Sequence, residues 1–418
     1  SDESRGCLSR AGYAARMEPA ATTSLKAHWT LDPEVTFLNH GSFGACPTPV
    51  IAAQQELRDR LEREPVLLMA RELEGLYDGV RTDLAAFLVA EPEDVVFVPN
   101  ATTAVNAVLR SMALAPGDEI LVTDHGYNAC RNAVEFVTER AGARVAVAEV
   151  PFPVHSPDEV VAAVLAAATD ATRLAVIDHI TSPTGLVLPI ARIVAELRER
   201  GIETLVDGAH GPGMVALDLS ALGAGYYTGN CHKWLCTPKG SAFLHVRREL
   251  QEPVRPVVIS HGANARRTDR SRFLVEFDWP GTVDPTPALA IPTALAFMGS
   301  LLPGGWDEVR DRNRALALEA RTILMQALGL PAPAPEEMIG ALAALPLKGA
   351  TTERASPFAV DPLQTALFER YKIEVPIYLW PAPPLRLLRI SAQLYNERAD
   401  YAKLADALRE LSGEFTVV

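Results

Sequence analysis

The chain has 418 residues, 48% of them hydrophobic and 22% charged, with a formal net charge of -13; this length points to one large and one smaller domain, and the balance is that of a globular protein. The acidic excess argues against a nucleic-acid surface, which needs a clustered cationic face, and no apolar run reaches the length of a membrane span. The expected partner is therefore a small molecule held by local positive groups. The five cysteines, Cys7, Cys46, Cys130, Cys231 and Cys236, lack metal-ligand spacing, so no metal site is expected. In a chain this long they do not form a disulfide framework either, and a reducing, cytoplasmic compartment follows as the expectation.

Residues 1–30 read as a flexible lead-in. The first sixteen lack the apolar core of a secretory signal, and Met17 is a candidate internal start. FLNHGSFGACP, from Phe37 to Pro47, is rich in turn formers, with glycines where backbone can approach a ligand. Apolar residues at helical spacing predict helices between Pro49 and Leu88. In DVVFVPNATTAVNAVLRSM, Asp94 to Met112, a short apolar strand runs through Asn-Ala-Thr-Thr into a helical pattern. Free N–H groups and hydroxyls at such a helix start suit a phosphate, although plain N-capping by threonine produces the same pattern.

DEILVTDHGYNAC, Asp118 to Cys130, predicts a strand with His125 and Tyr127 just beyond its C-terminal end, the edge where open α/β sheets bind ligands. Strand and helix then alternate through RVAVAEVPF, DEVVAAVLAAA, RLAVIDHI, IARIVAELRERG, ETLVDGAH and SAFLHV. Alternation of this kind predicts a mostly parallel sheet with helices on both faces. No GxGxxG follows the first strand, so a nicotinamide dinucleotide has little support. The large domain is expected over 31–290. A linking helix and a smaller α+β domain follow over 291–418, with PAPAPEE as a connector and the best-marked strand between Pro384 and Asn396.

The chemistry centres on GNCHKWLCTPKG, Gly229 to Gly240. Lys233 is the candidate Schiff-base lysine, a role open to an amine that its surroundings keep nucleophilic. Asp207 ends a strand upstream, as a carboxylate must if it is to keep the ring nitrogen of a pyridine cofactor protonated; alone it would read equally well as a helix cap.

In order and spacing, NATTAVN, IDHITSPTG, VDGAHGPG and GNCHKWLCTPKG resemble the class V aminotransferase-fold family of pyridoxal-phosphate enzymes. With LNHGSFG near the start and RISAQLYN near the end they look most like its isopenicillin N epimerase-like branch, over residues 35 to 396. The resemblance implies fold type I, an α/β architecture with a large mostly parallel-sheet domain and a smaller α+β C-terminal domain, and pyridoxal 5'-phosphate as cofactor. It implies phosphate contacts from Thr102, Thr103 and His232, and it puts Ser182 and His210 near the phenolic oxygen. A ring from His125 or Tyr127 stacks on the pyridine; the sequence leaves both open. Gly281-Thr282 matches a turn that completes the phosphate site of a neighbouring subunit, so a homodimer with a shared active site is expected. Arg389, in the closing motif with Ser391 and Asn396, is the expected anchor for a substrate carboxylate, and Asn39 and His40 are expected to face the substrate.

Persulfide-forming desulfurases of this fold need a cysteine shortly before that arginine, and none occurs after Cys236. Three functions stay open: epimerisation or racemisation at Cα of an amino acid or amino-acid-like amine, C-S lysis by β-elimination as in ergothioneine-type lyases, and a non-catalytic cofactor-binding protein. The epimerase-like reaction is preferred on the motif set.

Overall fold

The computed structural model describes residues 24–349, 360–415 and 417. Strands in chain order are β1 (Thr36–Phe37), β2 (Val95–Val98), β3 (Glu119–Thr123), β4 (Arg144–Ala148), β5 (Thr172–Asp178), β6 (Glu203–Asp207), β7 (Tyr226–Asn230), β8 (Ala242–Val246), β9 (Leu342–Leu347), β10 (Ile373–Glu374), β11 (Ile377–Leu379) and β12 (Arg386–Ser391). Seven of them form one sheet in the order β2-β8-β7-β6-β5-β3-β4. Only β8 runs against the others, pairing antiparallel with β7 and with β2.

Helices cover both faces, which is why the central strands are buried along nearly their whole length rather than on alternate residues. Every residue of β2, β3, β7 and β8 is buried. The helix Ile190–Glu199 buries Ile190, Ile193, Val194 and Leu197, a single stripe at helical spacing. Burying each such side chain contributes about 1.5–3 kcal/mol. Because the strands are parallel, the C-terminal ends of β3, β5, β6 and β7 all open on one edge of the sheet, and there the polar motifs collect.

A second sheet, β11-β12-β9, is antiparallel throughout. The helix Gly305–Leu328 leads into it, and the helix Arg398–Leu411 closes the chain's packing. The expected connector carries a short 3-10 turn at Glu336–Met338 and ties back to the large domain, where Val154 N–H donates to Pro333 O at 2.9 Å.

The N-terminal segment departs from expectation. Residues 1–23 lie outside the described residues, the possible start at Met17 among them, but from Ser24 onward the lead-in is packed rather than flexible. Leu25–His28 forms a 3-10 turn, and buried Trp29 donates through Nε1 to Ala45 O at 3.1 Å. Next, β1 pairs parallel with β10, Ser391 N–H donates to Leu38 O, and Gly41 N–H donates to Ser391 Oγ. The loop after β1 is thereby laid along the small domain, beside Arg389.

Candidate active site

The sheet edge assembles the site. Asn230, the last residue of β7, accepts the Ala101 N–H at 2.9 Å through Oδ1, so the strand that leads to Lys233 abuts the start of the helix Ala101–Ser111. Asn100 caps that helix: its Oδ1 accepts from Thr103 N–H at 2.8 Å and from Thr103 Oγ1 at 3.0 Å. Thr102 keeps its N–H and hydroxyl without a partner among the described residues. His232 donates through Nδ1 to Ser241 O at 2.9 Å, and burial lowers its pKa to about 4. Its Nε2 is therefore a lone pair, and gripping a phosphate oxygen there requires a shared proton. One helix N-terminus, one free hydroxyl and one proton-accepting imidazole fit a phosphate monoester.

Lys233 is half-buried, and its pKa falls to about 8, first through desolvation and then through the Arg389 charge. His210 Nε2 lies 3.1 Å from its Nζ. Asp207 is held on both oxygens: Ala209 N–H donates to Oδ1 at 3.0 Å, and the Cys130 thiol donates to Oδ2 at 3.0 Å. Asp178 stands opposite Asp207 in the sheet register. Burial and the neighbouring carboxylate push its pKa well above the usual carboxylate range. Together, a half-buried amine near its free-base pH, a held carboxylate and a phosphate seat fit the pyridoxal 5'-phosphate that the motifs imply.

Arg389 is the second cation of the site. It is 1% exposed, yet no carboxylate pairs with it among the described residues. Its Nη1 donates to Ser182 O at 2.6 Å and to Ser182 Oγ at 3.3 Å, its Nη2 donates to Ser42 Oγ at 3.2 Å, and its Nε has no partner. The Tyr378 ring lies 5.0 Å from the guanidinium carbon. A buried charge without a counter-charge is costly, and a bound carboxylate relieves that cost.

Several expectations need correction. His125 is fully buried, with Nδ1 at 2.8 Å from Thr184 Oγ1 and Nε2 at 3.0 Å from Val150 O. Trp380 covers it edge-on at 4.5 Å. Both nitrogens are thus occupied by protein, and His125 presents no exposed ring face at this edge. Tyr127, 44% exposed, is the open ring at this edge, and its hydroxyl feels the charges of Asp207 and Arg389.

His40 is likewise turned inward, between Tyr395 Oη at 2.8 Å and Lys233 O at 3.0 Å, and supports the lysine's backbone instead of facing a substrate. Asn39 is buried too: Nδ2 donates to Glu374 Oε1 at 3.0 Å, and Oδ1 accepts from Ser42 Oγ at 2.5 Å. Ser42 is the residue of that loop that reaches Arg389. Thr282 is exposed, next to Gly281 at φ +112°, and makes no hydrogen bond among the described residues.

Ser42, Cys130, Asp178 and Trp234 are not among the site residues that the sequence singles out. All four lie inside or beside quoted motifs, but residue type alone does not say which way a loop side chain points. Cys231 and Cys236 are fully buried and protonated, as packing residues are. A cavity of about 580 Å³ lined by Leu73, Tyr77, His261 and Trp279 holds none of the site residues, so concavity alone does not locate the chemistry.

A family profile described as aminotransferase class-V matches residues 45–352. An isopenicillin N epimerase of Amycolatopsis lactamdurans is 38% identical over 95% of this chain and 100% of its own length. A probable chloroplastic L-cysteine desulfhydrase of Arabidopsis thaliana is 33% identical over 91% of this chain and 83% of its own. Among solved structures, C-DES, a mutant with glycine covalently linked to its PLP cofactor, superposes with a TM-score of 0.78 at 21% identity. That match covers 93% of this chain and 100% of that one, and it speaks for the fold.

Proposed function

The chain belongs to the aminotransferase class-V family, whose cofactor is pyridoxal 5'-phosphate, and we propose that it removes the Cα proton of an amino acid or amino-acid-like amine and returns it on the opposite face, as an epimerase does. The observation that carries this reading is Arg389: a buried guanidinium without a counter-charge among the described residues, close enough to Lys233 to help lower the lysine's pKa to about 8.

When bound, the cofactor supplies an aldehyde that joins amines and a ring that takes up negative charge from Cα. Asp207 would pair with the cofactor's ring nitrogen, and Cys130 and the Ala209 N–H keep its carboxylate in place. Thr102, at the start of its helix, and His232 would hold the phosphate, while Thr103 is spent on the Asn100 cap. Arg389 receives the substrate carboxylate as a bidentate pair, and Ser42 and Ser182 fix the guanidinium plane. Lys233 Nζ, uncharged above about pH 8, takes the Cα proton from its own side, and the Tyr127 hydroxyl serves as donor on the other. Thr282 reaches the phosphate site of a second copy; exposed Val257, Val258, Ile259 and Val283 support that homodimer.

A second reading, β-elimination from an S-substituted cysteine, is favoured by the L-cysteine desulfhydrase relative and begins with the same proton removal. Persulfide relay does not fit, since no cysteine follows Cys236. Turnover in deuterium oxide separates the two reactions. Deuterium at Cα with inverted configuration is expected, whereas stoichiometric pyruvate and ammonia from an S-substituted cysteine would replace the first reading with the second.

A further inference from the structure

Trp234, next to the lysine, is 1% exposed. Its indole Nε1 donates to His210 Nδ1 at 3.2 Å, and the other nitrogen of the same imidazole, Nε2, meets Lys233 Nζ at 3.1 Å. An indole nitrogen donates and cannot accept, so Nδ1 of His210 must be the unprotonated, accepting nitrogen. A neutral imidazole then carries its hydrogen on Nε2, directed at the lysine. An imidazolium would turn Nδ1–H against the indole N–H.

An N–H directed at Nζ needs a lone pair there, and an ammonium has none. The same three residues that fix the imidazole therefore also select the uncharged amine. We propose that Trp234 is a positioning residue: it locks His210 in the Nε2–H form and so holds Lys233 as the free base that joins carbonyl compounds. This rests on the reading of Lys233 as the cofactor-bearing amine. The other groups that act on the pair are accounted for. Arg389 works in the same direction on both residues and His40 on the imidazole, while Asp207, Cys130 and Asp178 act on the lysine in the opposite sense. None of them touches Nδ1.

Packing alone does not require an indole nitrogen here. The Trp234 ring sits against His40 at 4.7 Å and among Ile180, Met214 and Leu342, contacts that a phenyl ring also makes.

The test uses the full chain freed of cofactor. Long-range proton–nitrogen NMR of histidine-labelled wild-type protein should show His210 protonated at Nε2 and bare at Nδ1; a protonated Nδ1 would overturn the proposal with no variant needed. In Trp234→Phe the Nδ1–H form should appear. Attachment of pyridoxal 5'-phosphate to Lys233, followed by absorbance, should then slow about tenfold near neutral pH, as for a rise of about one unit in the lysine pKa, with no change at high pH. An attachment profile that superposes on wild type would count against the proposal. Borohydride trapping and peptide mapping of the wild type test the underlying reading separately: label on a different lysine refutes that reading, whatever the His210 tautomer.

Discussion

Arg389 illustrates how one residue trades stability for binding. Its guanidinium is buried against Ser182, Ser42 and Tyr378 with no acid paired to it among the described residues, a state that a hydrophobic core does not favour. Arg389→Gln is expected to weaken kcat/KM for a carboxylate-bearing substrate by about 3 kcal/mol, roughly a hundredfold. Thermal melting of the cofactor-free protein should hold or rise, because an uncompensated charge has been removed. The variant also removes a charge that lowers the Lys233 pKa. The lysine should then keep its proton to higher pH, and the acid limb of the rate profile should move upward. A variant with unchanged kcat/KM would dismiss Arg389 as the carboxylate anchor.

At the scale of elements, the decisive feature is the junction between the end of β7 and the helix Ala101–Ser111. Asn230 and Asn100 consume the Ala101 and Thr103 N–H groups and the Thr103 hydroxyl; Thr102 keeps both of its donors. The two threonines, equivalent in the motif, are not equivalent in the structure. Thr102→Val should loosen cofactor retention on dialysis more than Thr103→Val, since the first deletes a free phosphate donor and the second deletes part of a cap. The cap loss should show instead in urea melts of the cofactor-free chain, at about 1 kcal/mol. Equal cofactor retention in both variants would remove the distinction.

At the scale of the molecule, the two sheets do not make the site alone. The N-terminal loop crosses onto the small domain through β1 and β10, which puts Ser42 beside Arg389, and Thr282 is exposed on the surface. A second copy is expected to complete the phosphate site. Thr282→Val should lower cofactor retention while sedimentation still reports a dimer. A dilute monomer with full activity would rule out the shared site.

The sequence by itself determined the mostly parallel sheet, the helix start at Asn100 and the placing of Asp207 and Lys233 at the ends of neighbouring strands. These follow from local rules: strand and helix periodicity, and the polarity of strand ends that the backbone of a parallel sheet imposes. Side-chain direction in the loops beyond those ends was left to the tertiary structure. HGYN offered two rings, and the carbonyl of Val150 and the indole of Trp380 claimed His125, leaving Tyr127 open. LNHGS offered Asn39 and His40, but Glu374 and Tyr395 turned both inward and Ser42 took the outward place. Cys130 and Trp234 gained partners in Asp207 and His210 only once strands distant in sequence lay side by side. A buried polar group takes whichever partner the packed fold brings within about 3 Å, and that choice is not written in the neighbouring residues.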